Sequence, residues 1–482
     1  MKISLINPPF LFPSKKEIVF SQCLGVRSLS AYLKQEGFHD VCIIDSLMQG
    51  FDNVKTYSNG YIVGLELDEI VSAIPKESAI IGISSPFSQL APIVHDIAKL
   101  IKASFPEALL VMGGVYPSTQ PELALTSSVE YIVVGEGETA ILDMALGKNP
   151  CKIMGVYSPR KEILPNYPGA PTVNELDNLP FPDYELPDME RYFTISPRMG
   201  RGKTASLVTS RGCPFTCEFC SIEPVYGRRF RARSASKVLE EIKMLVDKFN
   251  VKTLEIEDDN FTLKKPRVIE ILKGIIELNK GGAGLSWNTP NGVDIETLDE
   301  ELISLIKKSN CTSLTLALEH GDENMLKIMK KRVKLKTMEK VVKLLAKYEI
   351  PEFQVFVIIG YPGETRERFD NCVTFLKRLR SFGSNMILCA NNAQPYPGTQ
   401  LTKRCFEEGI LTDPNYTNFL VNKRLMSTAH FIPIVTPDFD EHEVKRRRLA
   451  VTALTSSKWK SIAKMMLPVR LIDIILTIKR SV

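Results

Sequence analysis

The sequence has no apolar run long enough for a membrane span. Its C-terminal stretch from Met465 to Ile478 is interrupted by Pro468, Arg470 and Asp473. Surface attachment through the apolar, basic end from Trp459 to Arg480 stays open, so peripheral membrane contact is compatible with the sequence. There is no long stretch of Lys and Arg interleaved with aromatics. The net charge of +5 is a weak surplus over 482 residues, so nucleic acid is not implied. No internal repeat and no low-complexity tract is present. The N-terminus, MKISLINPPF, passes from one Lys into a short strand-like run followed by proline, too short for a secretory h-region, and a cytoplasmic protein is expected. A disulfide framework is missing too: of ten cysteines, seven stand singly and three cluster, a pattern that suits a reducing compartment with one metal site.

With 44% hydrophobic and 24% charged residues the chain can bury a sizeable core, and its length calls for two folded domains plus an appendage. The segments Ile3 to Ile6, Val41 to Ile44, Ile80 to Ile83, Leu109 to Met112 and Tyr131 to Val134 read as buried parallel strands. Between them Val26, Leu29 and Leu33 recur at helical spacing before Gly37, as do Ile93, Ile97 and Ile101 before Pro106. Five strands with intervening helices predict an α/β, doubly wound, flavodoxin- or Rossmann-like sheet over residues 1–145.

Residues 146–200 are rich in proline, without a sustained period, and read as a linker that wraps the surface. A second alternation follows over 201–412. Strands are expected near Ser206 to Thr209, Thr253 to Glu257, Leu285 to Asn288, Ser313 to Leu318, Gln354 to Ile359 and Met386 to Ala390. Six βα units imply a partial (β/α)6 TIM-like barrel. Residues 413–482 read as a helical C-terminal region docked on that barrel.

The cysteine cluster, Thr209-Ser210-Arg211-Gly212-Cys213-Pro214-Phe215-Thr216-Cys217-Glu218-Phe219-Cys220, follows the first strand of the second domain, where a barrel keeps its catalytic loops. Thiolates are soft ligands, and a short loop can wrap three of them around one face of an iron–sulfur cubane, leaving one iron open. A structural zinc site needs a fourth Cys or His, and no second pair follows within the next 60 residues. Cys23, Cys42, Cys151, Cys311, Cys372, Cys389 and Cys405 read as small hydrophobes.

The spacing Cys-x-x-x-Cys-x-x-Cys, with Phe219 before the last cysteine, resembles the signature of the radical S-adenosylmethionine (SAM) superfamily. The resemblance implies Cys213, Cys217 and Cys220 as ligands of a 4Fe-4S cluster whose open iron chelates SAM, with Phe219 against the adenine. It also implies an external one-electron reductant such as flavodoxin or ferredoxin. Further matches fall at later strand ends. Glu257-Asp258-Asp259-Asn260-Phe261 resembles the family's Asp-Asp-Asn segment, and Glu319-His320-Gly321 stands where many relatives have Glu-Ser-Gly. Gly360-Tyr361-Pro362-Gly363-Glu364 resembles its glycine turn. Asp258, Glu319, Gly360 and Gly363 are thus expected near SAM. For Glu319 a structural ion pair is the other reading, and for Gly360 and Gly363 a simple chain reversal.

In a doubly wound sheet, ligands bind outside the carboxyl ends of the strands. Those loops are Asn7-Pro8-Pro9, Ser84 to Ser88, Gly113 to Pro117 and Gly135 to Glu138, whose small residues permit close backbone approach to a flat or anionic ligand. A nucleotide or flavin would fit this much. The segments Leu24 to Phe38, Ile81 to Leu90, Met112 to Pro121 and Val133 to Glu138 resemble the cobalamin (vitamin B12)-binding domain that precedes the barrel in many radical SAM proteins. The resemblance implies cobalamin contacts at Ser84, Ser85, Phe87, Gly113, Gly114 and Gly135. One departure stands out: no Asp-x-His-x-x-Gly is present, and His39, His95, His320, His430 and His442 lie outside these loops, so a histidine-ligated cobalt face is not expected.

With both cofactors the resemblance implies methylation of an unactivated carbon or phosphorus centre of a small-molecule or lipid substrate. The alternatives are radical cyclisation, rearrangement or oxidation without methyl transfer, and a non-catalytic cobalamin or iron–sulfur sensor. Methylthiolation is disfavoured because Cys23 and Cys42 cannot supply three ligands to a second cluster.

Overall fold

A computed structural model describes residues 1–455 apart from 21, 160–166, 187–188, 196–201, 384 and 422–431. The apolar, basic end from Trp459 to Arg480 and His430 lie outside the described residues. The described residues form two compact units, those of 1–214, 221–255 and 415–421 in the first and those of 215–220, 256–414 and 432–455 in the second.

The first unit is built on a sheet of β1 (Lys2–Asn7), β2 (Val41–Asp45), β3 (Ser78–Ser84), β4 (Leu109–Gly113), β5 (Tyr131–Val133) and β6 (Val156–Tyr157). Their order is β2-β1-β3-β4-β5-β6, parallel through β5, with β6 antiparallel at the edge. All five expected strands are there. The order turns back at β1, whose neighbours are β2 on one side and β3 on the other, so the loops after β1 and β3 diverge and leave a crevice. Edge strand β6 falls within the proline-rich segment read as irregular. A further antiparallel sheet, which the sequence reading did not foresee, pairs Phe10–Phe12 with Gly60–Val63 and the latter with Val54–Tyr57.

Helix α1 (Leu24–Gln35) buries Val26 and Leu33 and ends at Gly37, whose φ of 93° lets the Phe38 amide donate to the Leu33 carbonyl. Its other face is covered by the proline-rich segment. The Asp183 carboxylate accepts from Ser30 Oγ at 2.6 Å and pairs with Lys34 at 2.8 Å, while Arg27 donates to the Asp183 carbonyl and lies under Tyr184 and Tyr192. Helix α2 (Ala91–Ser104) buries Ile93, Ile97 and Ile101 and stops before Pro106. Helix α3 (Glu138–Ala145) follows β5.

Six βα units follow in sequence. In the first unit β7 (Thr204–Leu207) and β10 (Thr253–Ile256) are neighbours, separated in sequence by a two-stranded ribbon, β8 (Ser210–Arg211) with β9 (Arg231–Ala232), and by α4 (Ala235–Phe249). In the second unit β11 (Ser286–Val293), β12 (Cys311–Glu319), β13 (Glu352–Ile359) and β14 (Met386–Asn392) run parallel in chain order. Helices α5 (Lys265–Lys280), α6 (Glu300–Lys308), α7 (Leu335–Lys347) and α8 (Arg366–Arg380) alternate with them. Each helix covers the strands through one apolar stripe, as α7 does with Met338, Val341, Val342 and Leu345. This is the expected (β/α) barrel architecture.

After α9 (Gln400–Glu407) the described part of the segment expected to be helical is irregular over 413–421 and 432–440 and then forms α10 (Glu441–Ala453). Asp440 caps α10 by accepting from the Glu443 amide at 2.7 Å, and Val444, Arg447 and Val451 form its buried face. Among the described residues no helix is long and apolar enough to cross a membrane.

Candidate functional site

The crevice at the carboxyl ends of β1, β3, β4 and β5 opens into a cavity of ≈ 330 Å³. Four elements floor it: Asn7 at the end of β1, Ser84 at the end of β3 with Phe87 beyond it, Gly113 at the end of β4 with Gly114 next to it, and Gly135 after β5. Gly114 has φ 109°, and a Cβ there would sit 2.7 Å from the Ser85 carbonyl oxygen, so the loop closes only with glycine. Ser85 itself does not line the cavity. It is fully buried, its amide donates to the Gly113 carbonyl, its carbonyl accepts from the Tyr116 amide, and its Oγ has no partner. Five of the six residues expected around cobalamin therefore face one space, and Ser85 braces two of the loops instead.

The sequence reading did not single out the opposite wall, which comes from Gln22, Cys23, Gly25 and Ser28 at the start of α1 and from Glu136, Glu138, Arg211 and Tyr226. The lining is mainly apolar and its loops carry glycine at the points of closest approach, which suits a large flat ring. Among the described residues no histidine lines the cavity. His39 and His442 are exposed, and His95 Nε2 lies 3.0 Å from the Tyr116 hydroxyl. Burial pushes the His95 imidazole down to about 4, so it stays neutral.

At the cavity wall four charged side chains leave water together. Arg211 reaches Glu138 at 2.7 Å and Glu136 at 3.1 Å, and Arg231 also pairs with Glu136, one of its contacts being 3.0 Å. Both glutamates are 4% exposed. Burial alone would raise the Glu138 carboxyl, but Arg211 overcomes it and holds that carboxyl below the ordinary range.

Two residues beyond Arg211 the cysteine segment begins. Gly212 has φ 79°, and a Cβ there would lie 2.5 Å from the Arg229 carbonyl oxygen, so the segment starts with backbone against backbone. Cys213, Cys217 and Cys220 are half-buried and in no disulfide, and the Cys220 amide donates to the Cys217 carbonyl in a tight turn. Among the described residues no three Cys, His, Asp or Glu side chains are drawn together as around one ion. Three thiolates that bind three different irons of one cubane need no common point, so a turn bearing soft donors fits this group.

Between the last two cysteines Glu218 anchors the segment within the second unit. Its carboxylate accepts from the Tyr361 hydroxyl at 2.7 Å, its amide donates to the Met329 carbonyl, and its carbonyl accepts from the Leu401 amide. Phe219 meets the Tyr361 ring edge-on at 6.4 Å, and Arg332 lies over Phe215. Glu319 ends β12 with φ 72° and pairs with Lys331 at 3.2 Å, so the structural ion pair is present. Burial by itself would lower the Lys331 ammonium, but Glu319 first, and then negative charge on Cys217 and Cys220 as thiolates, draw it up.

The glycine turn carries packing. A Cβ on Gly360 would meet the Val444 methyls at 2.9 and 3.0 Å, and one on Gly363 would lie 3.3 Å from Ile328 Cδ1. Asp258 is buried and Asp259 partly so; burial and then the neighbouring Asp258 push the Asp259 carboxyl up to about 7.

Residues 207–376 match the radical SAM superfamily, and residues 21–145 match the B12 binding domain. The chain is 28% identical over 439 residues to an uncharacterized methyltransferase of Pyrococcus horikoshii, covering 89% of each protein. It is 28% identical over 454 residues to cytidylyl-2-hydroxyethylphosphonate methyltransferase of Streptomyces wedmorensis, covering 86% of this chain and 83% of that one. Its fold is similar to that of the radical S-adenosylmethionine methyltransferase TsrM from Kitasatospora setae, solved with cobalamin and a [4Fe-4S] cluster bound. That similarity has a TM-score of 0.66 at 19% identity and covers 86% of this chain and 80% of the other. With a B12-binding domain ahead of a radical SAM domain, the chain belongs to the cobalamin-binding radical SAM enzymes, whose cofactors are a 4Fe-4S cluster, SAM and cobalamin.

Proposed function

We propose that the protein methylates an unactivated carbon or phosphorus centre of a small-molecule or lipid substrate. The observation that carries the reading is the cavity: four strand-end loops of the B12-binding domain converge on one mainly apolar space. Two relatives named as methyltransferases support methyl transfer over other radical chemistry.

When bound, the cluster supplies the electron that cleaves SAM to a radical, and cobalamin supplies the methyl group. The chain's own part is placement and exclusion of water. Cys213, Cys217 and Cys220 would hold the cluster. Gly113, Gly114 and Gly135 admit a flat ring close to the backbone, with Ser84 and Phe87 beside it. Asp258, Glu319 and the Phe219–Tyr361 aromatic pair stand at the SAM side of the reading, Glu319 acting through its pair with Lys331. An external one-electron reductant such as flavodoxin or ferredoxin would feed the cluster.

The test is anaerobic reconstitution with iron, sulfide and cobalamin, followed by analysis of SAM cleavage under strong reductant. Methyl transfer yields S-adenosylhomocysteine alongside 5'-deoxyadenosine. 5'-Deoxyadenosine alone would transfer the reading to cyclisation, rearrangement or oxidation, and neither product would leave a sensor.

A further inference from the structure

Ribbon β8–β9 closes the base of the segment that carries the cysteines, and its register sets Arg211 directly opposite Arg231. Two like charges at opposed cross-strand positions destabilise a ribbon. Here they coexist because Glu136 accepts from both and Glu138 accepts from Arg211. The side chains of Arg231 and Glu136 are 2% and 1% exposed, those of Arg211 and Glu138 13% and 5%. Two arginines and two glutamates leave no net charge, so the cluster offers nothing to an anionic ligand. Its connections are what distinguish it.

Glu136 lies in the loop between β5 and α3, Glu138 is the first residue of α3, and both line the cavity. Arg211 lines it two residues before Cys213, and Val225 and Tyr226 line it shortly after Cys220, so whatever fills the cavity touches the chain on both sides of the cysteine segment. The Tyr226 carbonyl and the Val173 carbonyl accept from Arg231, which ties the far end of that segment to the same four charges. A buried pair of this kind has a large penalty for partial breakage, so the arrangement moves as a unit or not at all.

We propose that Glu136 and Glu138 with Arg231 and Arg211 form a clamp that couples occupancy of the cobalamin cavity to the conformation of the cluster loop. These four are positioning residues, and the proposal rests on the reading of the cavity as the cobalamin site. Coupling of this kind is reciprocal: a formed cluster tightens cobalamin binding by the factor by which bound cobalamin stabilises the cluster loop.

Cobalamin affinity is measured anaerobically by absorbance titration on the full chain, once with the cluster reconstituted and once after the iron has been removed with chelator. In the unaltered protein, removal of the cluster weakens cobalamin binding by about 5-fold or more. In Glu138→Gln the two affinities agree within about 2-fold, with circular dichroism unchanged. A merely structural role would weaken both states equally and leave their ratio intact, and that result overturns the clamp. So does an unaltered protein that binds cobalamin equally well with and without the cluster. Absence of cobalamin binding in either state would instead remove the reading of the cavity. Should Glu138→Gln fail to fold, Arg211→Lys keeps the charge but cannot bridge Glu136 and Glu138 together, and its affinity ratio decides in the same way.

Discussion

Arg447 Nη1 lies 3.1 Å from Oε2 of Glu364 and 2.8 Å from the Glu364 carbonyl oxygen, and neither side chain is more than 1% exposed. The other carboxylate oxygen of Glu364 meets His320 Nε2 at 3.1 Å, and Oε2 also accepts from the Gly360 amide at 2.8 Å. One carboxylate thus fastens α10 to the glycine turn after β13 and to the strand end after β12. Removing Arg447 leaves Glu364 buried without its countercharge, which costs about 3–5 kcal/mol. Arg447→Met is expected to lower the denaturant midpoint accordingly, and Arg447→Met with Glu364→Gln to recover part of the loss. A single variant within about 1 kcal/mol of the unaltered protein would show that the pair does not hold the helix in place.

Gly360→Ala separates the two readings of the glycine turn. The new Cβ meets Val444 methyls and the residue must keep φ 73°, so the variant is destabilised through packing and through backbone strain of about 1–3 kcal/mol. Val444→Ala in the same chain removes the packing part only. Partial recovery of stability in the double variant is expected. If the double variant is no more stable than Gly360→Ala, Val444 is not what the glycine makes room for.

The fold was legible where burial writes itself into the local sequence. The strands β1 to β5 sit between helices and are apolar runs in consequence, and β13 buries Phe353, Val355, Val357 and Ile359 in strict alternation. The hairpin from Val54 to Val63 had a signal that went unread: Ser58 and Asn59 before Gly60, between β-branched and aromatic residues, with φ 49° at Ser58. Strand β6 is two residues long and gives no period at all. In the site, the strand-end loops were readable because topology places them together. Ser85 was not separable from Ser84, since the turn that faces it away from the cavity is made by Gly114 of another loop. Pairings such as Arg211 with Glu136, 75 residues apart, leave no mark in one sequence, because any arginine suits any glutamate until the fold brings them together.

Cys217→Ala is expected to abolish both the brown absorbance of the reconstituted cluster and SAM cleavage, because two thiolates cannot hold the cubane. The control is Cys405→Ala. Cys405 is buried in α9, where burial pushes its thiol up to about 12, so it is not a thiolate donor, and its loss should leave iron content and cleavage products unchanged. Full retention of either property in Cys217→Ala, or loss of iron in the control, would contradict the ligand assignment.

Asp259 makes stability depend on pH with a definite sign. Its carboxyl stands at about 7 in the folded protein against an ordinary value of 3.8, because burial and then Asp258 disfavour the charge. Between these two values the folded state binds a proton at this site that the unfolded chain has released. The contribution is therefore intact below about pH 4 and is lost as pH rises through 7. Asp259→Asn removes that dependence. The stability difference, variant minus unaltered protein, should grow from pH 4 to pH 7 and then stay level, reaching on the order of 1 kcal/mol after allowance for the partial exposure of the side chain. Urea unfolding at pH 4.5, 6 and 8 measures it. A difference that is flat over this range, or that shrinks as pH rises, would mean that Asp259 is ionised in the folded protein at neutral pH.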